Sequence, residues 1–174
     1  MPPILRMKKL LRKCPQPLRI KEVAVRSFRG GDDVLAWLSL RRLAFSGVSP
    51  GGPGWTKADF DREFLAKPWW RPDRMWFAVP VEGDIEQTPV GTVTLAQWSG
   101  GERSGRERPK PVVHWLAVAP SWRRRGIGRL LMASLEAACW NDGHRELSLQ
   151  THESWSDATA FYRELGYVHV NASP

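Results

Sequence analysis

The chain has 174 residues, 42% of them hydrophobic and 25% charged, which suits one domain with a proper core and is too short for two comfortable ones. Its net charge of +8 favours anionic partners of any kind (nucleic acid, a membrane surface, a phosphorylated small molecule) and does not choose among them. No apolar run approaches the roughly 18 residues of a membrane span; Cys14 and Cys139 lie too far apart in a pair-poor chain to suggest a disulfide framework, which fits a reducing cytoplasm; and His114, His144, His152 and His169 show no metal-ligand spacing, so no metal is expected.

The opening MPPILRMKKLLRKCPQP is basic and lacks a continuous apolar stretch, so residues 1–17 read as a loosely packed tail rather than a secretory signal. Glu22 to Phe28 alternates as a strand, and Gly30 to Asp33 forms a turn and helix cap. Val34, Trp37, Leu38 and Phe45 then share a helical face before the glycine-rich break Gly47 to Gly54. In WTKADF, Thr56 and Asp59 have the spacing of a capping box, and Trp55 can staple onto Phe60; this helix should end before Pro68. Met75 to Val81 and Val90 to Trp98 read as antiparallel strands joined by EGDIEQTP, followed by an exposed loop, Ser99 to Pro111.

The second half has stronger patterns. Val112 to Val118 is almost continuously apolar, as befits a central strand covered on both faces. Ile127, Leu130, Leu131, Ser134, Leu135 and Ala138 repeat as one helical stripe, closed by Gly143. Glu146 to Thr151 alternates as a strand. Ala158, Phe161, Tyr162 and Leu165 make another helical face closed by Gly166, and Tyr167 to Val170 is a last short strand. The order β-α-α-β-β-β-α-β-α-β predicts a mixed α/β sheet flanked by helices.

Between the third central strand and its helix lies RRRGIGRLL. A helix N-terminus presents unpaired N–H groups and a partial positive charge, and glycine lets that backbone approach a ligand closely. With arginines alongside, the junction is suited to a phosphate or pyrophosphate. The P-loop string is absent, and Leu131 stands where a dinucleotide fingerprint needs its third glycine. Arg123-x-x-Gly126-x-Gly128, preceded by LAVAP and followed by an amphipathic helix, resembles motif A of the GCN5-related N-acetyltransferase superfamily. ATAFYRELGY, Ala158 to Tyr167, resembles its motif B, so the likeness covers about Val112 to Tyr167.

The resemblance implies a single N-acetyltransferase domain over residues 18–174, with a mostly antiparallel central sheet, a splayed central strand pair and about four helices. It implies a cytoplasmic enzyme using acetyl-CoA, or another acyl-CoA, as co-substrate. The backbone at Leu116, Ala117 and Val118 would pair with the pantetheine arm. Arg123 and the amides of Arg124, Arg125, Gly126, Ile127, Gly128 and Arg129 would hold the pyrophosphate. Tyr162 sits where relatives place a proton donor for the departing thiolate, and His114 where they carry a base for the amine; Glu153 is the alternative base. On simple alternation His114 shares a strand face with Leu116 and Val118. Trp55, Trp69, Trp70 and Trp76 serve either as core or as walls of the acceptor pocket. The preferred acceptor is a small primary amine, with a protein N-terminus or lysine as the second class. A non-catalytic acyl-CoA-binding regulator and a nucleic-acid module, the less favoured partner, are the rival classes; a membrane partner is not expected.

Two departures from the family pattern stand out. Trp155 occupies the region where relatives often carry an asparagine that touches the cofactor. The sequence also ends at Pro174, where relatives continue into a further strand, so a homodimer partner or the N-terminal segment is expected to complete the sheet edge, unless the sheet is short.

Overall fold

The structure, a computed structural model, describes residues 3–47, 54–82, 85–98 and 109–170. In chain order its elements are β1 (Ile4–Leu10), β2 (Val23–Ser27), α1 (Gly31–Ala44), α2 (Lys57–Phe60) continued by a π turn (Asp61–Leu65), β3 (Met75–Glu82), β4 (Ile85–Glu86), β5 (Gly91–Trp98), β6 (Lys110–Val118), α3 (Ile127–Asn141), β7 (Glu146–His152), α4 (Ser156–Glu164) and β8 (Val168–His169). The sheet runs β2-β3-β5-β6-β7-β1-β8, with β4 attached to β3. Every pairing is antiparallel except β6 with β7, which are parallel and register at Val112↔Ser148. The mixed, mostly antiparallel sheet with a splayed central pair is therefore present.

Alternation along the strands divides the core. Met75, Phe77 and Val79 of β3 face Val34 and Trp37 of α1 and Phe60 of α2, while Ala78 faces the α3 side with Val93, Leu95 and Val113. Helix α3 supplies Ile127, Leu130, Leu131 and Leu135 to that second cluster, on the stripe its periodicity predicts. It lies close to the sheet: a Cβ at Gly91 would stand 2.9 Å from Ile127 Cγ2 and 3.0 Å from Leu131 Cδ1. The capping box at Thr56 and Asp59 forms in both directions. Trp55 reaches the same cluster as Phe60, with Trp37 against both rings. Among the described residues no helix is long and apolar enough to cross a membrane.

Residues 4–10, expected as part of a loose basic tail, are instead the strand between β7 and β8. Seven positions pair with β7, from Ile4↔His152 to Leu10↔Glu146, and Met7 and Lys8 pair with β8. Positive charge concealed the strand, but two of its lysines have partners. Lys8 meets Glu146 at 3.3 Å, and Lys9 meets the buried carboxylate of Glu136 at 2.7 Å. Tyr167 donates its hydroxyl to the same carboxylate at 3.1 Å. The N-terminal segment thus fills the place expected of a following strand or a partner chain. Strand β6 starts at Lys110, inside the expected loop, and the C-terminal strand is confined to Val168–His169 and pairs with β1. Residues 99–108 of that loop, 48–53 of the glycine-rich break and 83–84 of the connector lie outside the described residues.

Candidate active site

Beyond Val112↔Ser148 the ends of β6 and β7 part around a cleft of ≈ 1430 Å³. One end is the junction of β6 and α3. After the single turn Pro120–Trp122, Arg124 (φ 63°) and Gly126 (φ 82°) adopt left-handed backbone and swing the chain into the helix. The first helical bond runs from Leu130 N–H to Gly126 C=O at 3.0 Å, so the amides of Ile127, Gly128 and Arg129 precede it and have no carbonyl upstream in the helix. Ile127 contributes only backbone there, since its side chain is buried in the core.

The arginines of this loop have different surroundings. Arg123 donates to Val118 C=O at 3.2 Å and Ala44 C=O at 2.8 Å, which ties the end of β6 to the end of α1. Arg125 lies over the Trp122 ring at 4.7 Å, and Arg129 pairs with Glu164 at 2.5 Å. Arg124 is exposed on the cleft wall and makes no hydrogen bond or ion pair among the described residues. Gly126 is required by its positive φ. Gly128 has a different constraint: a Cβ there would meet Phe161 Cζ of α4 at 3.0 Å, so close packing of the two helices sits beside the free amides of the helix end.

The middle of the cleft is bounded by Leu116, Ala117 and Val118 on β6 and by Thr151 and His152 on β7. Ala117 and Val118 pair with Thr92 and Gly91 of β5, and the opposite edge of β6 faces the cleft. Thr151 Oγ1 and His152 Nδ1 are buried there with no hydrogen-bond partner among the described residues. A polar chain with amide groups, carrying a diphosphate at one end, would fit an unpaired strand edge that leads to free helix amides and an exposed guanidinium.

At the far end the strand is irregular. The β5–β6 register passes from Thr92↔Ala117 to Thr94↔His114, so Trp115 and Leu116 together oppose Val93. This is a β-bulge, and Trp115 takes φ 52° within it. It overturns the alternation expected from the sequence. His114 packs against Phe64 and Trp69 on the α2 side, whereas Leu116 and Val118 pack against the α3 cluster. His114 Nε2 lies 2.8 Å from Glu63 Oε1, and the Trp115 indole donates to the same oxygen at 3.3 Å. The hydrogen bond to His114 is the main reason that Glu63 is held below the usual carboxylate range; partial burial opposes it, and the His114 charge, Trp115 and Lys67 assist. Glu63 went unrecognised in the sequence. It stands 51 positions from His114, in a helical turn with no motif.

Tyr162 also lines the cleft. Its ring packs between Phe161 at 5.4 Å and Tyr167 at 5.8 Å, and burial pushes its phenol above the ordinary range. Glu153 is exposed and outside the cleft lining. Of the four tryptophans singled out by sequence, Trp69 lines the cleft; Trp55 and Trp70 pack in the α1–α2 cluster and Trp76 on the α3 cluster. The aromatic wall is completed by Trp115 and by Phe45, expected on a helical face rather than in the site, with Trp155 tilted on Phe45 at 5.7 Å. No group of three or more His, Cys, Asp or Glu among the described residues is placed to hold a metal.

Comparison with known proteins bears on the fold and the family. A mycothiol acetyltransferase from Mycobacterium ulcerans is 28% identical over 152 residues, 87% of this chain and 46% of that protein. The chain thus spans about half the length of the curated relatives it matches. A GCN5-related N-acetyltransferase from Sphaerobacter thermophilus superposes with TM-score 0.74 at 23% identity, over 96% of this chain and 48% of that one. The structure of AAC(6')-Iy in complex with the bisubstrate analogue CoA-S-monomethyl-acetylneamine gives TM-score 0.61 at 17% identity, over 88% of this chain and 96% of that one. The model of the acetyltransferase (GNAT) family matches residues 35–167, from within α1 to the buried Tyr167 and across the splayed strands and the glycine-led helix, and the chain belongs to that family.

Proposed function

We propose that the chain is an acyl-CoA-dependent N-acyltransferase that moves the acetyl group of acetyl-CoA to the primary amine of a small molecule by direct attack. The observation that carries this reading is the cleft, which joins an anion-binding helix end, a parted strand pair and a carboxylate–imidazole pair in one continuous space. Relatives named for mycothiol and a structural neighbour bound to an acetylneamine analogue support a small acceptor. The two widely separated free cysteines support a reducing, cytoplasmic setting.

Acetyl-CoA supplies the acyl group, activated as a thioester. In this reading its diphosphate rests on the amides of residues 124–129 beside the Arg124 guanidinium, and its pantetheine follows the backbone of Leu116 to Val118. His114 takes a proton from the acceptor ammonium, which frees the nitrogen lone pair for attack. Tyr162 faces the departing sulfur. Burial keeps its phenol protonated, and the same dry surroundings make a thiolate more basic, so the proton passes toward sulfur as the C–S bond breaks.

The test begins with calorimetry of acetyl-CoA, followed by thiol release with a panel of small amines and of peptides bearing a free N-terminus or lysine. Acetyl-CoA binding with release driven by a small amine is the expected result. Release with peptides alone moves the acceptor to protein. Binding without release to any acceptor makes the chain a regulator, and salt-sensitive nucleic-acid binding without acetyl-CoA binding overturns the reading. Tyr162→Phe should bind acetyl-CoA as the parent does and turn over roughly 10²-fold more slowly.

A further inference from the structure

We infer that Glu63 is the positioning residue of the acceptor base: it holds His114 by Nε2 so that Nδ1 is the nitrogen that receives the amine's proton. The inference rests on the acetyl-transfer reading of the cleft and names the device within it. Three observations converge. Glu63 Oε1 is 2.8 Å from His114 Nε2. Trp115 Nε1 donates to the same oxygen at 3.3 Å, from a residue whose left-handed backbone is set by the bulge. The bulge also breaks strand alternation beside His114, so two neighbouring residues of β6 reach one carboxylate. An ordinary strand would send them to opposite faces.

The chemistry follows from the geometry. A carboxylate only accepts, so an imidazole bonded to it through Nε2 carries its neutral-state proton there and leaves the Nδ1 lone pair available. His114 Nδ1 makes no hydrogen bond among the described residues, and Glu63 and His114 both line the cleft. The ammonium gives its proton to Nδ1; the amine becomes neutral, and the imidazolium that forms sits against the Glu63 carboxylate. That carboxylate is the charged partner of the ring, with Lys67 acting on Glu63 from one turn onward. The other neighbours are Phe64, Trp69 and Trp115, with Thr94 opposite on β5, none of which titrates in the working range. Trp115 donates to the oxygen that meets His114, so Glu63 Oε1 is held by two groups.

Three measurements test this. Long-range proton–nitrogen correlation spectra of the imidazoles, assigned with His114→Gln, should show the Nε2–H tautomer for His114 in the parent, and loss of that preference in Glu63→Leu. Glu63→Gln keeps the shape and an acceptor oxygen but removes the charge. At the pH optimum it should lower kcat by about tenfold or more, short of the roughly 10²–10⁴-fold of a group that itself transfers the proton. Glu63→Asp should restore part of that loss, and acetyl-CoA affinity should be the same in all. An Nδ1–H tautomer in the parent, or an unchanged kcat in Glu63→Gln, overturns the inference while acetyl transfer stands. The tautomer is read without turnover, so the expected tautomer in a protein that acetylates no amine overturns acetyl transfer and the base role with it.

Discussion

Among the loop arginines, only side-chain surroundings separate a ligand contact from a structural one. Arg123 is committed to Val118 and Ala44 carbonyls, Arg125 to the Trp122 face and Arg129 to Glu164, whereas Arg124 lies on the cleft wall beside the helix amides. Arg124→Ala should therefore weaken acetyl-CoA binding by about tenfold, the scale of one charge-assisted hydrogen bond. S-Acetyl-pantetheine, which has no diphosphate, should bind both proteins alike, and calorimetry with the two ligands decides it. Glycine substitutions are a poorer probe of the same site. Gly126 carries a left-handed φ and Gly128 abuts Phe161, so a side chain at either position disturbs the fold as well as the anion site. RRRGIG is legible in the sequence as an anion site at a helix N-terminus; which guanidinium stays exposed on the cleft depends on Ala44 and Glu164, residues far away in the chain.

The elements differ in how openly the sequence displays them. Helices α3 and α4 bury one stripe each, and a 3.6-residue period exposes that directly. The strand β1 alternates less legibly, because Lys8 and Lys9 interrupt it and their partners Glu146 and Glu136 lie in the second half of the chain. The bulge in β6 carries no glycine to announce it: Trp115 holds positive φ because its indole is fixed among Trp37, Trp55 and the Glu63 carboxylate. Glu63 escaped notice for the same reason, since a contact across 51 positions leaves no local pattern. At this scale the sharpest expectation concerns β1. Lys9→Met removes the ammonium from Glu136, whose side chain is only 7% exposed, and leaves a carboxylate with Tyr167 as its remaining described partner. Urea unfolding should show a loss of about 3 kcal/mol, the lower end for breaking a buried pair, with the fold retained.

Taken as a whole, the molecule is a sheet with helices on both faces, and its two cysteines report on it from opposite environments. Cys14 is exposed, while Cys139 is sealed inside the α3 cluster with its thiol pushed up to about 12 by burial, aided by Asp142 and Glu136. At pH 8 a thiol reagent should modify Cys14 at once and Cys139 only through global opening. Two equivalents reacting rapidly in the native protein would show that the α3 cluster opens locally. The insertion of β1 also sets an order of assembly. Lys9 and Glu136 are 127 positions apart, and β7 and β8, which flank β1, are made later still. At synthesis rates of about 5–20 residues per second, β1 leaves the ribosome on the order of ten seconds before its neighbours exist. Through that interval its backbone groups have none of their sheet partners, and adjacent lysines discourage pairing with another chain. The charge that disguises β1 in the sequence thus keeps it single until its own partners emerge.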